Sequence, residues 1–218
     1  MSAEPGRDCP RCPRLVEFRR AQRASHRDWH NAPVPSFGEL EARLLIVGLA
    51  PGLKGANRTG RPFTGDYAGD LLYATLLKTG FAHGNYAARP DDGLVLRDCR
   101  VTNAVRCVPP ENKPETAEIA ACSAFLVEEI AAMPRLRMIL ALGAIAHNAV
   151  LGALAQRKSA YPFKHGALHA LQSGLLLADS YHCSRYNTST GVLTPAMFEA
   201  VLEEIRRRLA TTPAGRKA

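Results

Sequence analysis

The sequence holds no apolar run long enough to cross a membrane. Its longest, residues 44–51 and 138–146, fall well short of the roughly 18 residues that a transmembrane helix requires. A secretory signal is missing too: Met-Ser-Ala-Glu-Pro-Gly-Arg-Asp-Cys carries acidic residues and a cysteine where an apolar stretch would stand. A cytoplasmic protein with no membrane partner is expected. No internal repeat or low-complexity tract breaks the 218 residues, so one domain spanning 1–218, acting as a monomer, is expected. Phosphate-cradling motifs are absent as well. There is no Gly-x-Gly-x-x-Gly, and the glycine-rich stretch 52–65 lacks the Lys-Ser/Thr pair of a P-loop. Negative charge is scarce: 20 Asp+Glu face 28 Lys+Arg, giving a net charge of +8 and a pI near 9.4. That excess favours a polyanionic partner, because each cation that neutralises a phosphate releases a condensed counterion. With 22 arginines to six lysines, a compositional bias would produce the same surplus.

What is present suffices for a substantial core, since a chain of this length buries about 70% of its unfolded surface. Four apolar segments, residues 43–49, 99–105, 137–143 and 175–180, read as buried strands. Helical patterns lie between and after them at 67–79, 114–133, 144–154 and 194–209, the last with Thr194 as cap, Pro195 at the first helical position and Met197, Val201, Ile205 and Leu209 on one face. Residues 14–27 form a further amphipathic helix outside the alternation. Strands separated by helices pair in parallel, so the fold class is α/β: a three-layer α/β/α sandwich with a short, four-stranded parallel sheet. Ligands of such sheets sit beyond the carboxyl ends of the strands, which points to the loops beginning at Gly48, Arg106, Gly143 and Tyr181.

Six cysteines in a reducing compartment argue against disulfides. Cys9-Pro-Arg-Cys12 supplies two thiols three residues apart, and Cys107 and Cys122 can complete four soft ligands; zinc and an iron–sulfur cluster both fit that count. A redox role would need a strand before Cys9, and none is predicted. Cys99 reads as a buried small hydrophobe and Cys183 as a passive thiol. In the loop after the first strand, Phe63 either plugs the core or stacks on a planar ligand. Asp66 both caps the following helix and stands where a carboxylate could position water. His26, His30, His83, His147, His165 and His169 show no spacing of a metal triad and read as solvated or structural.

Several blocks, in order, resemble the uracil-DNA glycosylase superfamily, and within it the iron–sulfur-containing family 5 (B-type) enzymes. They are the Cys9/Cys12 pair; Gly48-Leu49-Ala50-Pro51-Gly52; Asn57-Arg58-Thr59-Gly60-Arg61-Pro62-Phe63-Thr64-Gly65-Asp66; the run from Asn103 through Asn112 to Pro114; Ala141-Leu142-Gly143; and His182-Cys183-Ser184-Arg185-Tyr186-Asn187-Thr188. The sister family 4 carries Glu where this chain has Leu49. Other branches place an Asp or Asn in the first block to activate water. None stands between Gly48 and Gly52, which moves the water-handling role towards Asp66.

The resemblance implies a monofunctional hydrolase of DNA repair that cleaves the bond between a flipped-out uracil and its deoxyribose, leaving an abasic site, with tolerance for other deaminated bases such as hypoxanthine. Asp66 and His182 are implied as the catalytic pair. Phe63 is implied to stack on the base, Asn103 to read its edge, and Gly48, Ala50, Gly52 and Asn112 to complete the substrate contacts. Arg185 and Asn187 lie on a loop implied to enter the DNA stack. Cys9, Cys12, Cys107 and Cys122 are implied to hold a structural [4Fe-4S] cluster on an amino-terminal arm of about residues 1–30. Against this stand plainer readings: a core histidine at 182, a loop-tying Asn103, structural roles for Arg185 and Asn187, a uracil-DNA binder without turnover or one that traps its ligand covalently, and an unrelated zinc protein.

Overall fold

The computed structural model describes residues 4–211, so the first three residues of the expected arm and the last seven of the expected domain lie outside the described residues. Along the chain come α1 (Pro13–Ser25), β1 (Leu44–Gly48), the short α2 (Ala56–Thr59), α3 (Tyr67–Thr79), a two-stranded ladder of β2 (Ala82–His83) and β3 (Val95–Leu96), and β4 (Cys99–Asn103). There follow α4 (Thr116–Ala131), β5 (Met138–Leu142), α5 (Ala144–Ala153), β6 (Leu168–Ala170), β7 (Leu176–Ser180), α6 (Arg185–Ser189) and α7 (Pro195–Thr211).

The central sheet has the order β4-β1-β5-β7-β6. Its first four strands are the four expected, and all are parallel. The fifth, β6, is antiparallel to β7 and extends the four-stranded expectation by one edge strand. Every residue of β1 and β5 is buried, because helices cover both faces of the sheet. On one face Leu44, Ile46 and Leu140 pack with Leu72 and Leu76 of α3 and Phe198, Leu202 and Ile205 of α7. On the other, Leu45, Val47, Ile139 and Ala141 pack with Leu126 of α4 and Val150 and Leu151 of α5. Successive strand residues thus feed opposite layers. Helix starts follow local chemistry: Asp66 caps α3 and Thr194 Oγ1 accepts the Met197 N–H at 3.2 Å ahead of Pro195. Because the four long strands run the same way, β1, β4, β5 and β7 end on one edge, and Gly48 pairs with Asn103 there. No helix among the described residues is long and apolar enough to cross a membrane.

Candidate active site

A cleft of about 390 Å³ opens at that edge, walled by residues 49–52 after β1, by Phe63, Asp66, Tyr67 and Ala68 ahead of and within α3, by Asn103 and Asn112, and by His182, Ser184 and Arg185 after β7. Eight sequence-predicted site residues meet in it: Ala50, Gly52, Phe63, Asp66, Asn103, Asn112, His182 and Arg185. Gly48 lies behind its floor, its carbonyl taken by the Ala104 N–H at 2.9 Å. A Cβ at position 48 would overlap both the Phe63 ring and the Asn103 carboxamide, so glycine is what lets those two side chains converge.

Phe63 is almost fully buried and has φ 51°. A bulky residue in the left-handed region stores strain of order 1–3 kcal/mol, which persists only where the surroundings impose it. Its ring centroid lies 6.1 Å from that of His182, the planes inclined by 31°. His182 follows the end of β7, its carbonyl accepting from Asn187 Nδ2 at 2.8 Å. Burial lowers the proton affinity of its imidazole below the ordinary histidine value, which keeps the ring neutral.

Asp66 is shifted the opposite way. Burial raises its carboxyl above the usual value and the neighbouring Asp70 adds to this, while the Gly69 and Ala68 N–H groups oppose it. Oδ1 accepts the Gly69 N–H at 3.1 Å. Oδ2 is turned towards Gly52, where a Cβ would stand 2.8 Å away. Asn103, at the end of β4, is 3% exposed, and its Oδ1 has no hydrogen-bond partner among the described residues. A buried acceptor left unpaired costs about 1–3 kcal/mol, a cost that a ligand N–H would remove.

The outer rim is looser. Asn112 stands on a tight turn at φ 57°. Arg185 is exposed, with its guanidinium 5.7 Å from the Tyr67 ring centroid. Asn187 does not line the cleft; it fastens α6 to His182. Tyr67 and Ser184 are cleft residues that sequence reasoning missed, Tyr67 because it reads as the first helical residue; Ser184 proves to cap α6 as well.

Between α1, α4 and the segment that follows β4, Cys9, Cys12, Cys107 and Cys122 line one cavity with Leu15, Arg19, Val105, Arg106 and Phe125. The Arg106 N–H donates to Cys122 Sγ at 3.4 Å and Arg19 Nη1 to Cys107 Sγ at 3.3 Å. Cys99 and Cys183 are buried elsewhere in the core. A single trio of metal-ligating atoms among the described residues lies within 4.8 Å of one another, that of His147, His169 and Asp179. His147 there donates from Nδ1 to Asp179 Oδ1 at 2.7 Å and from Nε2 to the Tyr161 carbonyl at 2.8 Å. Both ring nitrogens are thereby engaged with acceptors of the chain itself. The histidine is structural, as its sequence context suggests.

The family model described as "Uracil DNA glycosylase superfamily" matches residues 35–206. A type-5 uracil-DNA glycosylase of Thermus thermophilus is 46% identical over 91% of this chain and 93% of its own length. Its counterpart in Pyrobaculum aerophilum is 41% identical, over 93% and 88%. A type-4 uracil-DNA glycosylase of Pyrobaculum aerophilum is 34% identical over 69% of this chain and 63% of its own length. The match extends across the sheet, the cleft and the loops that wall it, and the chain belongs to the uracil-DNA glycosylase superfamily, in its type-5 branch.

Proposed function

We propose that this DNA repair glycosylase hydrolyses the bond between a flipped-out uracil and its deoxyribose in the cleft between Phe63, Asp66, Asn103 and His182. The convergence of those four side chains on one cleft is the observation that carries the assignment of roles. A base stacked inside a duplex is out of reach of such a site, so the nucleotide must swing out into it. As the bond breaks, positive charge grows on the sugar and negative charge on the base, and catalysis consists of meeting both. The base leaves with the electron pair of the broken bond; ionised Asp66 faces the sugar, steadies the cation, orients the water whose hydroxyl joins the sugar carbon and takes the proton that this water gives up. Neutral His182 donates a hydrogen bond to the base oxygen on which the negative charge gathers. Phe63 stacks on the base, and the unpaired Oδ1 of Asn103 accepts the N3–H of uracil, which cytosine lacks. The amide of Asn103 offers both a donor and an acceptor, and bases that share this edge, hypoxanthine among them, extend the substrate range. Arg185, Asn187 and the exposed Tyr186 between them face the DNA, and the +8 charge attracts its backbone.

The cysteine cavity suits a [4Fe-4S] cluster held by Cys9, Cys12, Cys107 and Cys122. Supporting this, the four thiols line one cavity and two N–H groups donate to its sulfurs. When bound, the cluster supplies a covalent tie between the amino-terminal arm, about residues 1–30, and the rest of a single domain; base hydrolysis has no electron-transfer step for it to serve.

Incubation with uracil-containing duplex followed by alkali is expected to cut the strand. Asp66→Asn and His182→Ala are each expected to lose at least about 100-fold in rate while still binding DNA. An intact strand with the unmutated protein would sink the enzyme reading and leave a binder, and variants that excise as fast as the parent would remove the roles given to Asp66 and His182.

A further inference from the structure

The strained backbone at Phe63 is held from behind by groups outside the cleft. Tyr73 Oη donates to the Pro62 carbonyl at 2.6 Å, Tyr86 Oη to the Phe63 carbonyl at 3.4 Å, and Thr59 Oγ1 to the Thr64 carbonyl at 3.0 Å. Three successive carbonyls are thereby pinned. Gly69 lets the first turn of α3 rest on the middle one, since a Cβ there would overlap the Phe63 oxygen.

Behind this layer Arg61 pairs with Asp92 through two parallel hydrogen bonds of 2.8 Å each, and Arg61 Nε donates to Thr64 Oγ1 at 2.8 Å. Both charged side chains are buried. The guanidinium lies 5.1, 5.5 and 5.8 Å from the ring centroids of Phe37, Tyr73 and Tyr86, a box that suits a planar cation. Asp92 also accepts the Ala87 N–H at 2.8 Å and the Leu94 N–H at 3.1 Å. Its carboxylate therefore shapes the very loop that delivers Tyr86.

Buried ion pairs are poor sources of net stability; what this one supplies is geometry. We propose that Asp92 is a positioning residue for base excision: through Arg61 and Tyr86 it fixes residues 62–64 so that Phe63 keeps its ring in the cleft. The inference rests on Phe63 as the platform for the base. Without the carboxylate, Arg61 is left charged and buried two residues before Phe63. The relaxation that follows releases the left-handed conformation, and a shift of about 1 Å in a positioning group can cost two orders of magnitude in rate.

The test is a double-mutant cycle on the full chain, reading single-turnover release of uracil from duplex DNA beside the affinity for undamaged duplex. Phe63→Leu is expected to slow release roughly tenfold, the rate equivalent of one modest stacking interaction. Asp92→Asn keeps the shape and removes the charge, and Tyr86→Phe removes one hydroxyl. Each is expected to slow release several-fold at unchanged affinity for undamaged DNA, and neither to slow it further in the Phe63→Leu background. Equal slowing in both backgrounds, or unaltered release by both variants, overturns the positioning role and leaves Phe63 its own. Unaltered release by Phe63→Leu overturns the platform reading, and this proposal with it. Should Asp92→Asn fail to fold, the Tyr86→Phe arm decides alone.

Discussion

Asp66 divides its carboxylate between two duties, one oxygen capping α3 and the other facing Gly52 across the cleft. The cap fixes the direction of the group, and burial sets its protonation. Because burial lifts its carboxyl above 3.8, the ionised form needed for excision is lost, as pH falls, earlier than for an exposed aspartate. His182 is shifted downwards, so its neutral form persists from below 6.5 upwards. The expected profile of kcat/KM against pH is an acid limb lying above the ordinary carboxylate value, then a plateau through the alkaline side. A fall on the alkaline side through the histidine range would show that the imidazolium is required, and would remove the neutral donor role. At this scale the sequence is informative where chemistry and motif coincide. Asp66, Phe63, Asn103 and His182 sit in contiguous blocks that resemble those of the family. Tyr67 is not, because a tyrosine opening a helix carries no signal of the cleft it lines. Arg61 and Asp92 are further still from view, since thirty residues of chain separate partners that only the fold brings together.

Among the elements, the long strands were legible because burial on both faces leaves continuous apolar runs, and the helices because their starts carry Asp66, Thr194 and Pro195. Strand β6 was not. Leu168, His169 and Ala170 are partly exposed at a sheet edge, and three such residues make no pattern. What fastens the neighbouring strand is polar: Asp179 of β7 accepts from His147 of α5 and from His169 of β6, the latter at 3.0 Å. Burial alone would lower the proton affinity of His147, but Asp179 and the Tyr161 carbonyl outweigh it and raise the net value. Folding therefore takes up a proton here. The stabilisation is complete below the unfolded value of 6.5 and is lost as pH rises through the higher folded value. Because burial shifts His165 and His182 the other way, the pair is read as a difference: Asp179→Ala is expected to cost about 3–5 kcal/mol in mildly acidic buffer, a gap in stability that narrows towards mildly alkaline buffer. A difference between the two proteins that grows over the same range would contradict the charged pair.

For the molecule as a whole, the amino-terminal arm matters more than its length suggests. Arg14 pairs with Glu118 at 2.7 Å, Glu4 with the fully buried Arg106 at 3.1 Å, and Asn57 Nδ2 with Asn31 Oδ1 at 2.9 Å. The last contact joins the arm to the loop that continues into Phe63 and Asp66. Protein prepared anaerobically is expected to be brown, with broad visible absorbance. Cys12→Ser is expected to bleach it and lower its melting temperature, with a smaller loss of excision rate; a colourless preparation that binds zinc instead would overturn the cluster assignment.

Those same arm contacts dictate an order of events during folding. Arg14 and Glu118 stand 104 residues apart, and Glu4 and Arg106 stand 102 apart. Closing a loop of about 100 residues costs about 4–5 kcal/mol of chain entropy, which these two ion pairs do not repay while the groups around them are still solvated. The surfaces that receive the arm, β4 with its following turn and α4, must already stand before the arm settles. The arm thus settles only on surfaces already formed, and until it does the four thiols that share one cavity in the finished molecule belong to separate segments.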